Sequence, residues 1–327
     1  MLFSLVVKAK ARSKRDSTRR AFSPWRVALG LSVIGMAATC LAFAGRAHWL
    51  LEWFSHFHVQ YLLCLLPFAI AFAIGRKFVL ATLCTVFVLV NLAVVLPIYW
   101  GASGAKDDKG FRLLLLNINS ANREHACVLD TIERTNPDLI LAMEVNERWL
   151  KALSTVGESY PYWASRPRSD NFGIAFFSRL SGEIDIRRVG SSVPTVVACL
   201  ETRRGPIIVI GTHTMPPVNG ELATERNNQL QALARLAKAQ QDPVLLTGDL
   251  NLSPWSPYFS DLLEQSGLRD ARRGFGLQTT WPDGVFFLRV PIDHCLHSEE
   301  FTVSSFAAGE SIGSDHFPVV VDLALKP

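Results

Sequence analysis

The spacing of apolar residues divides this 327-residue chain into two unlike parts. Residues 27–45 and 78–100 contain no charged side chain, and 59–75 is shorter but equally uncharged. A helix needs ~20 apolar residues to cross a bilayer, so about three membrane helices are expected. A helix buried in a soluble core keeps a polar face, whereas 78–100 offers only Thr82, Thr85 and Asn91 for one. Trp25, Trp49, Trp53, Tyr99 and Trp100 stand at or near the ends of these stretches, where amphipathic rings favour the membrane–water interface.

Past a glycine-containing linker at 101–110, strand and helix patterns alternate. Apolar runs predict strands over 111–118, 138–143, 172–178, 196–202, 207–213, 243–247, 292–297 and 319–325. Helical spacing predicts helices over 123–135, 146–154 and 221–239, the last with Leu230, Leu233, Ala234 and Ala237 on one face. Val285-Phe286-Phe287-Leu288 reads as a buried strand, with a lipid-touching loop as the alternative. Residues 111–327 therefore form an α/β domain with covered sheets, long enough for one sizeable core.

Charge gives the chain a direction. Residues before 106 hold eleven Lys/Arg against two acids, a formal +9, and the remainder holds 22 against 27, a formal −5. Lys and Arg are retained on the cytoplasmic side of membrane proteins. Eight of them lie in the basic stretch 1–26, Arg76 and Lys77 separate the second and third spans, and the loop 46–58 has one. The N-terminus is thus expected inside and everything after residue 100 outside. Ala42-Phe43-Ala44 resembles a signal-peptide cleavage site, but cutting there would leave the domain on the same side. Cys127, Cys199 and Cys295 read as small buried residues.

Polar groups recur where the predicted strands end. Asn117-Ile118-Asn119 closes the first strand, Glu144 the second and Gly211-Thr212-His213 a later one. Gly248-Asp249-Leu250-Asn251 follows the next, and Asp293 and Ser314-Asp315-His316 come last. Strand ends are where a fold aims polar side chains into a shared cleft. Taken singly, each has a plainer reading: Glu144 as a helix cap, Asp249 and Asn251 as a turn before Pro254, a histidine as a packed side chain.

As an ordered series over 111–327, the motifs resemble the endonuclease/exonuclease/phosphatase superfamily, metal-dependent phosphoesterases that include deoxyribonucleases, sphingomyelinases and inositol phosphatases. The resemblance implies a four-layer sandwich of two mixed β-sheets flanked by helices. It implies Mg²⁺ or Mn²⁺ held by Glu144 and Asn117, Asp249 readying the attacking water, and Asn251 donating to a phosphate oxygen. His316 would donate to the phosphoryl group with Asp293 holding its imidazolium, and His213 would act from the other side. A hard cation and fixed donors suit a reaction that builds negative charge on phosphorus. His213 stands where abasic-site endonucleases carry Asn, and Asn119 where repair enzymes carry an acid. Arg226 and Gln229 match a family pattern that braces a helix to the sheet, Trp281 reads as packing, and His294 and His297 as structural.

The expected activity is phosphoester hydrolysis outside the cytoplasm, at a bilayer, on a small molecule, a lipid head group or a nucleic acid. An extracytoplasmic nuclease is the alternative. The charge of −5 opposes it, unless Arg166, Arg168, Arg187, Arg188, Arg203 and Arg204 form a local patch. A non-catalytic membrane scaffold is the third. Orientation has its own test: a reporter active only outside the cytoplasm, fused after Pro327, is expected to work, and a cytoplasm-only reporter to fail. The reverse pair of results overturns the topology.

Overall fold

A computed structural model describes residues 23–101, 104 and 110–327. The basic residues Lys8 to Arg20 and the charged run Lys106 to Lys109 lie outside the described residues. Among the described residues four helices come first: α1 (Pro24–Ala42), α2 (Trp49–Phe54), α3 (His58–Ile74) and α4 (Phe78–Val95). A 3-10 turn, Ser55–Phe57, joins α2 to α3, and another, Leu96–Tyr99, follows α4. Three helical stretches, Pro24–Ala42, Trp49–Ile74 and Phe78–Tyr99, are long and apolar enough to cross a membrane. The predicted loop 46–58 is therefore largely helical.

Outward-facing Ile34, Leu63, Ile74 and Val79 are each more than half exposed. Aliphatic surface of that kind seeks an apolar environment. Inside the bundle, the His58 Nδ1 and Asn91 Oδ1 atoms lie 2.7 Å apart, and Asn91 Nδ2 donates to Thr39 Oγ1 at 2.9 Å. This links α1, α3 and α4 at one level.

The domain that follows contains β1 (Phe111–Asn117), α5 (His125–Thr135), β2 (Leu139–Met143), α6 (Glu147–Leu153), β3 (Tyr162–Arg166) and β4 (Ile174–Ser178). Next come β5 (Gly182–Arg188), β6 (Pro194–Thr202), β7 (Gly205–His213), α7 (Gly220–Lys238) and β8 (Val244–Asp249). The last elements are α8 (Pro257–Ser266), β9 (Arg269–Asp270), β10 (Asp293–His297), β11 (Phe301–Ala308) and β12 (Val319–Leu325). One six-stranded sheet runs β11-β12-β1-β2-β4-β3 and the other β5-β6-β7-β8-β10-β9. Both are mixed, with β1 parallel to β2 and β7 parallel to β8.

Alternation along the strands builds the layers, because successive side chains point to opposite faces. Leu113 and Leu115 point between the sheets, against Val196, Val209 and Leu245. Leu114 and Leu116 point outward, under Val128, Ile132 and Trp149. On the far side, Ile208, Ile210 and Leu246 meet Leu230, Leu233 and Phe259 of α7 and α8. The result is the four-layer sandwich expected. Cys295 is buried as foreseen, but Cys199 points outward from β6 and is exposed.

The segment after α1 docks on the domain. Arg46 makes a bidentate pair with Asp261 at 2.5 and 2.7 Å. Trp53 Nε1 donates to the Pro217 carbonyl at 2.8 Å. Glu52 and Arg226, both wholly buried, form an ion pair. Ser256 Oγ donates to the other Glu52 oxygen at 2.7 Å. Arg226 also donates to the Asn251 carbonyl at 3.2 Å, so it does more than brace α7.

Removing one partner of a buried pair strands the other charge without solvent. Glu52→Ala is expected to lower stability by about 3–5 kcal/mol, read as a fall in the thermal midpoint of the detergent-solubilised chain. Glu52→Gln, which retains an acceptor for Ser256, should cost less.

Candidate active site

Register alone assembles half of the site. His213 pairs with Asp249 across the parallel strands β7 and β8, and Asp249 pairs with Asp293 across β8 and β10. Three neighbouring strands therefore present these side chains in one row. Gly248, at φ +139°, lets the row form: a Cβ there would lie 1.8 Å from the Thr212 carbonyl oxygen. The Asp249 N–H donates to Met143 Sδ at 3.1 Å, tying the row to the opposing sheet.

From that sheet come Asn117, at the end of β1, and Glu144, just past β2. Glu144 has φ +62°, a backbone conformation uncommon outside glycine and asparagine. It does not cap α6, because Asn146 does, accepting from the Trp149 N–H at 3.0 Å. Asn117 Nδ2 donates to Asp249 Oδ2 at 3.2 Å, and Ser314 Oγ donates to the Asn117 carbonyl at 2.7 Å. That second bond draws the last motif onto the first strand.

His316 Nδ1 lies 2.9 Å from Asp293 Oδ2, and its Nε2 lies 3.6 Å from Asp249 Oδ2. His213 Nε2 approaches the same Asp249 oxygen at 3.5 Å. Glu144, His213, Asp249, Asn251 and His316 line one cleft of about 610 Å³, with Asn117 and Asp293 buried behind it. A cavity of about 700 Å³ between Trp100 and the β9 and β11 strands holds none of the motif residues.

Burial and neighbouring charge set the protonation states. Burial, with the Asp293 charge added, pushes Asp249 up to about 7 against the pull of His316. Burial works against the His316 cation, but the Asp293 charge and hydrogen bond, joined by Asp249 and Asp315, outweigh it and hold His316 up at about 10. Asp293, buried as well, is kept below the usual carboxylate value by the same partner. Burial lowers His213, leaving a neutral imidazole near pH 7 despite Glu144. Burial raises Glu144, only partly offset by His213, Asn117 and the Ser120 N–H. Two carboxyl groups, Asp249 and Glu144, are thus under-compensated in a cleft, a donor set that fits a hard cation.

Ligand atoms of Asp249, Asp293 and His316 lie within 4.8 Å of one another. A protonated imidazole has no lone pair to give a metal, and Asp293 spends its oxygen on that imidazole. This trio is better suited to proton handling, and Glu144 and Asn117 are the residues beside it that could hold a cation.

Further groups stand at the cleft, and among them Asn171 and Phe172 have no signal in their local sequence. Asp315 accepts from Asn119 Nδ2 at 2.7 Å and from Trp281 Nε1 at 3.1 Å. Trp281, expected only to pack, lines the cleft, and its neighbour Thr280 accepts from the Asp293 N–H at 3.2 Å. Asn171 and Phe172 enter from the loop between β3 and β4, and Phe172 lies against the His213 ring at 5.1 Å. Asn251 Nδ2 donates to the Thr214 carbonyl at 2.8 Å. His294 and His297 are buried on β10 with carbonyl partners at 2.8 Å, in keeping with structural roles.

Comparison with known proteins agrees with this fold. The sequence profile of the endonuclease/exonuclease/phosphatase family matches residues 114–316. The chain belongs to the endonuclease/exonuclease/phosphatase family. No curated protein matches it in sequence. Among solved structures of this family's fold, an endonuclease/exonuclease/phosphatase from Beutenbergia cavernae DSM 12333 is similar, with 19% identity and a TM-score of 0.52, covering 66% of this chain and 72% of that one. The human Nocturnin catalytic domain with bound sulfate has 19% identity and a TM-score of 0.55, over 68% of this chain and 97% of that one. The D. rerio TDP2 complex with a single-strand DNA product has 16% identity and a TM-score of 0.57, over 66% of this chain and 100% of that one. At such identities these endonuclease/exonuclease/phosphatase likenesses speak for the fold.

The Asp293–His316 pair makes a test with a definite sign. A histidine raised to about 10 remains a cationic donor until the pH climbs through that value. Its contribution to stability is likewise complete below the unfolded value of ~6.5 and lost as the pH rises through the folded one. In Asp293→Asn the burial effect is left without its main opponent. The activity of that variant relative to wild type is expected to fall as pH rises from ~6 to ~8. A ratio constant with pH would remove the donor role from His316.

Proposed function

We propose that this chain is a membrane-anchored, divalent-metal-dependent phosphoesterase whose catalytic domain lies outside the cytoplasm. The observation that carries the reading is the Asp293–His316 pair facing Asp249 in the same cleft as Glu144 and His213, within a family of phosphoester hydrolases. Asp249, poised near neutrality, accepts a proton from the attacking water. His316 donates to a phosphoryl oxygen as charge builds on it, and Asp293 keeps the ring oriented and charged. Neutral His213 stands across from it to donate toward the leaving oxygen, and Asn251 holds the Asp249 turn. Glu144 and Asn117 would hold Mg²⁺ or Mn²⁺, which when bound supplies positive charge to offset the phosphoryl oxygens.

Membrane attachment is supported by the three apolar helices and their bare aliphatic faces. Docking of Arg46, Glu52 and Trp53 on the domain supports a reading with the first loop and the domain on one side of the bilayer. The charge asymmetry supports taking that side as the outside. The six arginines offered for a nuclease do not make one patch. Arg203 and Arg204 sit on the turn between β6 and β7, at the opposite sheet end from His213.

The test uses the full chain in detergent, since Glu52 is buried against Arg226, with bis-p-nitrophenyl phosphate, plasmid DNA, sphingomyelin and inositol phosphates as substrates. Chelation should abolish turnover, and Mg²⁺ or Mn²⁺ should restore it. Asp249→Ala and His316→Ala should each lose on the order of 10²-fold or more, whereas Glu144→Gln should recover partly at higher Mg²⁺. His297→Ala is the control. An Asp249→Ala enzyme near wild type on the best substrate overturns the assignment.

A further inference from the structure

The cleft is only partly built by the catalytic domain. Trp53, His56 and Phe57, from the stretch leading into α3, form one of its walls. His56 is fixed there by Ser253, its Nδ1 lying 3.0 Å from the hydroxyl. Leu288 and Val290 line the cleft as well. Leu288 ends a 3-10 turn, Phe286–Leu288, on which Phe286 is 80% and Phe287 71% exposed. Residues 285–288 were expected to form a buried strand; they do not, because no sheet receives them.

Gln60, in the first turn of α3, donates to the Arg289 carbonyl at 3.0 Å. That bond ties the bare aromatic turn to the first turn of α3, within the stretch Trp49–Ile74 that is long and apolar enough to cross a membrane. Arg289 is paired with Asp283, and its guanidinium lies over the Phe317 ring at 4.3 Å and the Phe286 ring at 5.4 Å. Eleven of the twenty cleft-lining residues are apolar, and among the described residues no Lys or Arg lines it. A polynucleotide or a soluble polyphosphate calls for cations at its phosphates. An amphiphile carrying one phosphoester head group does not, and it gains from apolar walls.

We propose that the substrate is a membrane lipid phosphoester taken directly from the bilayer, its head group in the cleft and its apolar part between the Trp53–Phe57 wall and the Phe286–Leu288 turn. This rests on the phosphoesterase reading above. The exposed turn enters the interface as amphipathic anchors do, and binding energy from the remote apolar part is available to position the reacting ester. The membrane segment is then a part of the substrate site as well as an anchor.

The experiment compares matched pairs with the full chain. Phosphatidic acid and phosphatidylglycerol, each at one tenth in phosphatidylcholine proteoliposomes, are set against glycerol 3-phosphate and glycerophosphoglycerol in solution. Bis-p-nitrophenyl phosphate, p-nitrophenyl phosphate and a single-stranded oligonucleotide complete the panel. At least one lipid should exceed its soluble counterpart by about tenfold or more in kcat/KM, the factor that burying one apolar side chain's worth of surface provides. Its rate should follow the mole fraction in the bilayer rather than the bulk concentration. Phe286→Ser with Phe287→Ser should lower the ratio of lipid to soluble turnover by about tenfold. Lipids turned over no better than their counterparts, rates indifferent to surface dilution, or an oligonucleotide preferred to every lipid would each overturn the proposal. Loss of turnover on every probe would instead sink the phosphoesterase reading itself.

Discussion

The buried Glu52–Arg226 pair is the constraint on which the arrangement turns. Two full charges without solvent are costly unless each finds its partners, and here both do. Glu52 satisfies its second oxygen through Ser256, and Arg226 reaches the Asn251 carbonyl. The helix preceding the second apolar stretch, the long helix α7 and the turn after β8 must therefore meet at one point. The cleft owes its wall to that meeting, because Trp53, His56 and Phe57 flank Glu52 along the chain and follow it into place. A segment without the acid would leave Arg226 stranded, so segment and domain specify one another.

A second tension lies inside the cleft. Glu144, Asp249 and Asp293 share a small, poorly solvated volume, and like charges so placed cannot all ionise without compensation. His316 answers for Asp293, which is why one of these carboxyls falls below its ordinary value while the other two rise. The imbalance is chemically useful. A carboxyl poised near neutrality takes up a proton readily, and an under-compensated acid beside an amide favours a cation. The positive φ at Glu144 and Asn251 points the same way, since backbone strain of this kind collects where a site dictates geometry to the chain.

What was legible in the sequence followed burial. Of the nine apolar runs that read as strands, all but 285–288 exist, and each of those eight occupies an interior position of its sheet. The four strands without such a run, β3, β5, β9 and β11, are the four sheet edges. An edge strand faces solvent along one side and is kept short, charged or bulged for that reason, as in Glu183-Ile184-Asp185-Ile186-Arg187 of β5 and the register shift in β11. The motif residues were legible because strand ends carry local signals: a glycine that only a tight turn needs, an Asp two residues before an Asn. Trp53, Phe57 and Phe172 carry no such signal. Their place at the cleft comes from packing between segments far apart in sequence, and an aromatic residue near an apolar stretch reads equally well as an interface anchor.

The polar contact among Thr39, His58 and Asn91 in the helical bundle has a consequence for reach. With those three groups joined, the helices cannot rotate about their own axes independently, and the domain is already attached on both sides of them. The Gly274 N–H bonds the Ile98 carbonyl at 3.0 Å just after α4, and Arg46 holds Asp261 just after α1. A catalytic head on a single loose tether sweeps a hemisphere above its anchor. One gripped at two points is held at a set tilt, and on the membrane-anchored reading proposed above the mouth of its cleft would meet the surface at a single depth, as a plane blade set in its block takes a shaving of one thickness.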